Sequence, residues 1–144
     1  MSVVVNDPLT LSPATFDDAK LLFDWVNSAD SLSQKAETRG SIPWDDHCSW
    51  LESRLNDRAC RLFIIEYRGE PAGQVRLQPK SGNPHIDIYI APSFRKRGIA
   101  RRALSELLSR VEERPVVALV KHGNSASAAL FRQLGFREDE TLSG

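Results

Sequence analysis

Ile86-Asp87-Ile88-Tyr89-Ile90-Ala91-Pro92-Ser93-Phe94-Arg95-Lys96-Arg97-Gly98-Ile99-Ala100 is the stretch that decides the fold. Ile86, Ile88 and Ile90 alternate with Asp87, Tyr89 and Ala91, the period-two pattern of a strand with one apolar face. Pro92 and Ser93 end it, a basic loop with one glycine follows, and helix formers fill residues 100–111. Strand, basic loop and helix start, in that order, make an anion site. The first N–H groups of a helix have no acceptor within it, and the helix dipole adds partial positive charge there. Gly98 lacks the Cβ that would obstruct a phosphate.

Arg95, Lys96, Arg97, Arg101 and Arg102 place five cations within eight residues. Cations at a helix N-terminus oppose the dipole, so a merely solvated basic end is unfavourable. A phosphate is the simplest compensation, ringed by the backbone N–H groups of Arg97 through Arg101. Nucleic acid is the rival anion, but the cluster is short and no aromatic platform is interleaved with it.

The chain has 144 residues, read as one domain over 1–144. Hydrophobic residues make up 41% and charged residues 26%, ordinary for a globular protein, and the formal net charge is zero, which argues against a nucleic-acid partner. No apolar run approaches the ~20 residues of a membrane helix, so no membrane partner is expected. Met1–Asn6 is too short and too uncharged for a signal peptide. Cys48 and Cys60 have no CxxC spacing and form no metal set with the three histidines. Two reduced thiols in a cytoplasmic protein is the expectation.

Residues 9–12 read as a first strand. Thr15 is a good N-cap with Asp17 and Asp18 in the first turn, and Leu21, Leu22, Trp25 and Val26 give residues 16–27 a helical apolar face. Residues 28–42 read as a loop with at most a helical turn. Pro43 suits a helix start, and Trp44, Cys48, Leu51 and Leu55 set a stripe for a second helix over 44–56. Trp50 falls off this stripe and, with His47, would face a pocket. The alternative packs Trp50 against a loop and leaves His47 on the surface, which is favoured for His47. Residues 61–67 and 72–77 form a hairpin around Arg68-Gly69-Glu70-Pro71, and residues 78–84 are a second connection. After the key strand, residues 98–112 form a helix burying Ala103, Leu104, Leu107, Leu108 and Val111, stopped by Pro115. Residues 116–120 are a buried strand, 121–124 a turn, 125–134 a short helix and 136–140 a last strand. The class is α/β with a mixed sheet, in the order β-α-α-β-β-β-α-β-α-β.

Arg95-x-x-Gly98-x-Ala100 resembles the Q/R-x-x-G-x-G/A signature of the GNAT (Gcn5-related) N-acetyltransferases. Asn124-x-x-Ser127-x-x-Leu130-Phe131-x-x-Leu134-Gly135-Phe136 resembles the family's second motif. The resemblance implies a single-domain GNAT-like fold and acetyl-CoA as co-substrate. By the same resemblance, Arg95, Lys96, Arg97, Gly98, Ile99, Ala100 and Arg101 hold the pyrophosphate, and the backbone of Ile90 bonds the pantetheine arm. The Ile88 N–H faces the thioester carbonyl, where a fixed donor stabilises the oxyanion formed by amine attack. Asn124 matches the family's cofactor-contacting Asn, and also reads as a turn residue or N-cap. Phe131 stands at the cofactor site where many members carry a Tyr, whose hydroxyl would protonate the leaving thiolate; Phe cannot. Lys96 stands where many members have Gly.

The general base is open among Asp87 and His85, with Glu66 and His122 further options; Asp87 is preferred. No cysteine lies on the key strand to carry the acyl group, so transfer is direct. The stretches Ile42-Pro43-Trp44-x-x-His47-x-x-Trp50-Leu51 and Gly73-Gln74-Val75-Arg76-Leu77 are similar to those of enzymes acetylating nucleotide-linked amino sugars and, less closely, protein N-termini. Trp44, His47, Trp50 and Arg76 are then the acceptor-site residues, since rings stack on sugars and Arg pairs phosphate. The expected partner is a small-molecule amine, the assembly a monomer or homodimer, and no metal is expected. The rival is a non-catalytic acyl-CoA sensor on the same fold.

Overall fold

The computed structural model describes residues 7–28, 41–112, 114–120 and 124–139. The turn expected at Lys121–Gly123, the candidate base His122, Met1–Asn6 and most of the loop at 28–42 lie outside these residues. Strands β1 (Leu9–Pro13), β2 (Arg61–Tyr67), β3 (Glu70–Lys80), β4 (Asn83–Ile90) and β5 (Val117–Ala118) form one sheet in that spatial order. The first four pair antiparallel, and β5 pairs parallel to β4. Helices α1 (Ala19–Val26) and α2 (Trp44–Leu55) come before β2, α3 (Ile99–Ser109) joins β4 to β5, and α4 (Ser125–Gln133) follows.

Strand alternation sends the sheet's side chains to two cores. On one face Ile65, Val75, Leu77 and Ile86 meet Ile99, Ala103, Leu104 and Leu107 of α3, with Ile88 and Ile90 packed against them. On the other, Leu62 and Ile64 meet Ala19 and Leu22 of α1 and Leu51 of α2. Leu104 and Leu107 are fully buried, worth roughly 1.5–3 kcal/mol each relative to exposure.

Two tight turns set the sheet's register. Arg68 and Gly69 both have positive φ and join β2 to β3, and Ser81 and Gly82 do the same between β3 and β4. Such turns match the strand twist. The second connection is therefore shorter than the Pro and Gly content of residues 78–84 predicts, with Pro79 and Pro84 paired within the strands. Between β2 and β3 the register shifts, leaving Ala72 without a partner across from it. Gly73 follows, where an added Cβ would lie 2.1 Å from the Tyr89 carbonyl oxygen.

The helices correct several expectations. A 3-10 turn at Phe16–Asp18 precedes α1, and Thr15 caps it through Asp17 N–H while Asp18 returns the bond to Thr15 N–H at 2.9 Å. Helix α3 ends at Ser109, short of the 98–112 expectation and well before Pro115. Residues 116–120 yield only a two-residue strand, and residues 136–139 form none. Most informative is α2, whose buried residues are His47 and Leu51, with Trp44 left 42% exposed. The stripe through Trp44 and Cys48 misplaces the face because it counts apolar residues only. His47 is buried rather than on the surface, since its Nε2 finds the Ala19 carbonyl at 3.0 Å and its ring packs against Phe23 and Trp50. Desolvation pushes the His47 imidazole below its ordinary value, partly opposed by that bond. Cys48 and Cys60 are both free thiols, and burial pushes Cys60 up.

Two measurements check this packing. Gly73→Ala should cost about 1–3 kcal/mol in urea unfolding, because β4 must shift to admit the methyl group; an unchanged midpoint would mean the strands do not approach so closely. For His47 the lowered folded value means the unfolded chain binds the proton first. Stability is therefore full above the ordinary imidazole value near 6.5 and falls as pH drops through it toward the lower folded value. The melting temperature of the parent should drop more steeply between pH 7 and 5 than that of His47→Gln, whose amide keeps a donor for Ala19; parallel curves would contradict it.

Candidate active site

β4 organises the site because its backbone and side chains face different surroundings. The Ala91 N–H donates to the Ala72 carbonyl at 2.8 Å, and Gly73 lies opposite Ile90. In an antiparallel pair, hydrogen-bonded and non-bonded positions alternate. Asp87 and Tyr89 therefore direct their backbone groups to β3, while Ile88 and Ile90 direct theirs to the opposite edge. There β5 pairs only with His85 and Ile86. No described strand pairs with Ile88 or Ile90 on that side, so among the described strands the edge past Ile86 is left open.

The basic loop lies at the end of this edge. Lys96 has φ 62° and Gly98 φ 75°, left-handed conformations on either side of Arg97. Alternation of this kind turns successive N–H groups to one side, a concavity suited to anions. Gly98 caps α3, and the first bond into the helix is Arg102 N–H to the Gly98 carbonyl at 3.1 Å. Helix geometry thus leaves the N–H groups of Ile99, Ala100 and Arg101 without intrahelical acceptors. Apart from its chain neighbours, no described residue has an atom within 4 Å of where a Gly98 Cβ would stand. Backbone conformation, with open space above it, is what Gly supplies here.

The five cations are not equivalent. Arg95 turns back to the strand, its Nε donating to the Ile90 carbonyl at 2.8 Å and its guanidinium 5.5 Å from the Tyr89 ring centre. Arg102 donates to the Asp7 carbonyl at 2.7 Å. Arg97 lies 6.0 Å from the Phe94 ring centre, and Lys96, Arg97 and Arg101 are exposed. Three cations thus face solvent around the loop while two brace the protein. A pyrophosphate fits this arrangement: open N–H groups, an unobstructed glycine and exposed positive charge.

On the other face of β4 is a pocket of about 340 Å³ between the sheet and helices α1 and α2. Leu22, Trp25 and Val26 of α1 give it an apolar wall, Asp46, His47 and Trp50 line it from α2, and Leu62, Gln74, Arg76, Asp87 and Tyr89 line the sheet side. Gln74 Nε2 donates to Asp87 Oδ2 at 2.8 Å, and Arg76 lies 3.9 Å from the same oxygen, a charge contact rather than a hydrogen bond. The Arg76 guanidinium stacks 4.9 Å from the Trp50 ring centre. Tyr89 shares a hydrogen bond with Ser28 Oγ at 3.2 Å.

Of the sequence-predicted acceptor residues, His47, Trp50 and Arg76 line this pocket, and Trp44 does not. Among the base candidates Asp87 lines it. His85 instead holds the Asn83 carbonyl at 2.9 Å, and Glu66 accepts from Ser12. Asn124 Oδ1 accepts from Ser127 N–H at 3.2 Å, so it caps α4. Phe131 is buried against Phe136, which folds back through a bond from its N–H to the Phe131 carbonyl around Gly135 at φ 94°. Gln74 and Tyr89 are additional lining residues. Alternation signals Tyr89, two residues from Asp87 on one face, whereas nothing local marks Gln74. Among the described residues no cluster of His, Cys, Asp and Glu could hold a metal, and no helix is long and apolar enough to cross a membrane.

A family model described as an acetyltransferase (GNAT) domain matches residues 8–137. The ribosomal protein bS18-alanine N-acetyltransferase of Salmonella typhimurium is 40% identical over 56 residues, 37% of this chain and 38% of that protein. The L-2,4-diaminobutyric acid acetyltransferase of Vibrio parahaemolyticus is 30% identical over 95 residues, 61% of this chain and 51% of that protein. The chain thus spans about half or less of the length of these two relatives. Among solved structures, a ribosomal-protein-alanine N-acetyltransferase from Brucella melitensis superimposes with a TM-score of 0.74 at 27% identity, covering 90% of this chain and 85% of that one. An open strand edge ending in a glycine-capped anion loop, and a family match over nearly the whole described chain, lead to one conclusion: the chain belongs to the GNAT acetyltransferase family.

Proposed function

We propose that this chain is an acetyl-CoA-dependent N-acetyltransferase that acts by direct transfer to a primary amine of a small molecule. The observation that carries the reading is the double use of β4, with the open Ile88–Ile90 edge beside the anion loop and the Asp87 pocket behind it. Acetyl-CoA supplies the acetyl group as a thioester, whose C–S bond breaks as the amine nitrogen bonds to the carbonyl carbon. The open N–H groups at Gly98–Arg101, with Lys96, Arg97 and Arg101 around them, hold the phosphates. The Ile88 N–H, fixed in the sheet and turned to the open edge, stabilises negative charge on the carbonyl oxygen. Asp87 receives the proton that the amine must lose, directly or through water. With Phe131 in the core, the thiolate leaves without a proton from that position. The reading places the reaction in the cytoplasm.

The stacked Arg76–Trp50 pair, a ring and a guanidinium together, is what a nucleotide-linked amino sugar would use, whereas the Leu22, Trp25 and Val26 wall favours an amine on a compact apolar body. The bS18-alanine relative supports a protein N-terminal amine as a second reading.

Calorimetric titration with acetyl-CoA, followed by thiol release across a panel of amines, tests the proposal. The parent should bind acetyl-CoA. Gly98→Trp should weaken that binding by about ten-fold or more, equivalent to at least ~1.4 kcal/mol, because its side chain fills the open space above the loop. A folded parent that binds no acetyl-CoA would overturn the reading. Binding without thiol release for any amine would favour a sensor.

A further inference from the structure

Gln74 lies on the sheet side of the pocket, 7% exposed, opposite Ile64 on β2 and Tyr89 on β4. Its Nε2 donates to Asp87 Oδ2 at 2.8 Å. An ionised carboxylate only accepts hydrogen bonds, so the amide cannot be turned about, and Oε1 must lie on the side away from Asp87. That oxygen is buried and has no hydrogen-bond partner among the described residues. Leaving such a group unpaired forfeits its hydration with no bond in return, and folded proteins seldom do so without a reason.

We propose that Gln74 Oε1 receives an N–H of the acceptor, so that the pocket selects a primary amine carried on a compact apolar body. The choice of an amine rests on the acetyl-transfer reading above. Asp87 beside Gln74 and Asp46 from α2, set against the single Arg76 guanidinium, leave the lining with net negative charge that draws an ammonium group into the pocket. Leu22, Trp25 and Val26 form the wall across from these polar groups and would cover an aliphatic or aromatic body, with Leu62 beside Arg76 on the sheet. A volume of about 340 Å³ keeps that body small. Oε1 is enclosed in the absence of substrate, so the contact requires a small turn of the Gln74 side chain as the amine enters. Gln74 thereby acts on acceptor choice, with the acetyl donor held elsewhere, at the loop and the open edge.

The test is calorimetry on the whole chain without acetyl-CoA. The probes are phenethylamine and its trimethylammonium analogue, which keeps the ring and the charge but has no N–H. The parent should bind the primary amine about ten-fold more tightly than the analogue, a difference of ~1.4 kcal/mol. Gln74→Met, checked for folding by circular dichroism, should lose that preference while its acetyl-CoA affinity stays level with the parent. Equal binding of the two probes by the parent, binding of neither, or an undiminished preference in folded Gln74→Met would overturn the proposal. If Gln74→Met does not fold, the two-probe comparison on the parent decides. Glucosamine binding more tightly than phenethylamine would overturn the apolar body. A parent that discriminates the probes yet binds no acetyl-CoA would overturn the acetyl-transfer reading and leave the Gln74 contact standing.

Discussion

The structure depends on how briefly β5 pairs with β4. The parallel ladder holds His85 and Ile86 and goes no further. Had it continued, the N–H groups of Ile88 and Ile90 would be spent on sheet hydrogen bonds, because a buried backbone donor must be paired somewhere. Stopping at Ile86 leaves an edge inside a folded domain, which proteins usually cover or blunt. Arg95 blunts its far end by donating to the Ile90 carbonyl. That bond needs a side chain rather than another strand, so it closes the edge without filling it.

Side-chain alternation then gives β4 two unlike faces. Ile86, Ile88 and Ile90 pack against the core around α3, which fixes the height of the backbone next to the helix N-terminus. Asp87 and Tyr89 point the other way, into the pocket under α1 and α2. A reaction that joins two substrates needs them to meet at one place with their binding groups kept apart. A single strand with an anion loop at its end and a carboxylate on its reverse face would meet that need in the proposed transfer with little machinery. The Asp87–Arg76 contact, at 3.9 Å, is too long to count for much as a stabilising pair, so its value lies in positioning.

Much of this was legible in the sequence, for physical reasons. The isoleucine alternation defines β4 because one face of it packs against the core along its length, and the charge cluster marks the loop because so many cations at a helix start demand an explanation. The helix face carrying His47 was not legible. Histidine scores as polar, and only the Ala19 carbonyl, brought in from another helix, makes its burial possible. Gln74 gave no signal, since its importance comes from Asp87 across the sheet. Sequence also could not tell which of the five loop cations face outward: Arg95 and Arg102 are drawn to carbonyls that only the fold supplies. The last strand expected from residue 136 onward fails because Phe136 is folded back onto Phe131.

Amide hydrogen exchange read residue by residue along β4, with and without acetyl-CoA, tests the central claim most directly. Without ligand, the Ile88 and Ile90 amides should exchange much faster than those of Asp87 and Tyr89, which bond to β3. Saturating acetyl-CoA should slow Ile88 and Ile90 selectively. Amides at Ile88 and Ile90 that are already protected in the free protein, or that keep their rates when acetyl-CoA is bound, would contradict the account.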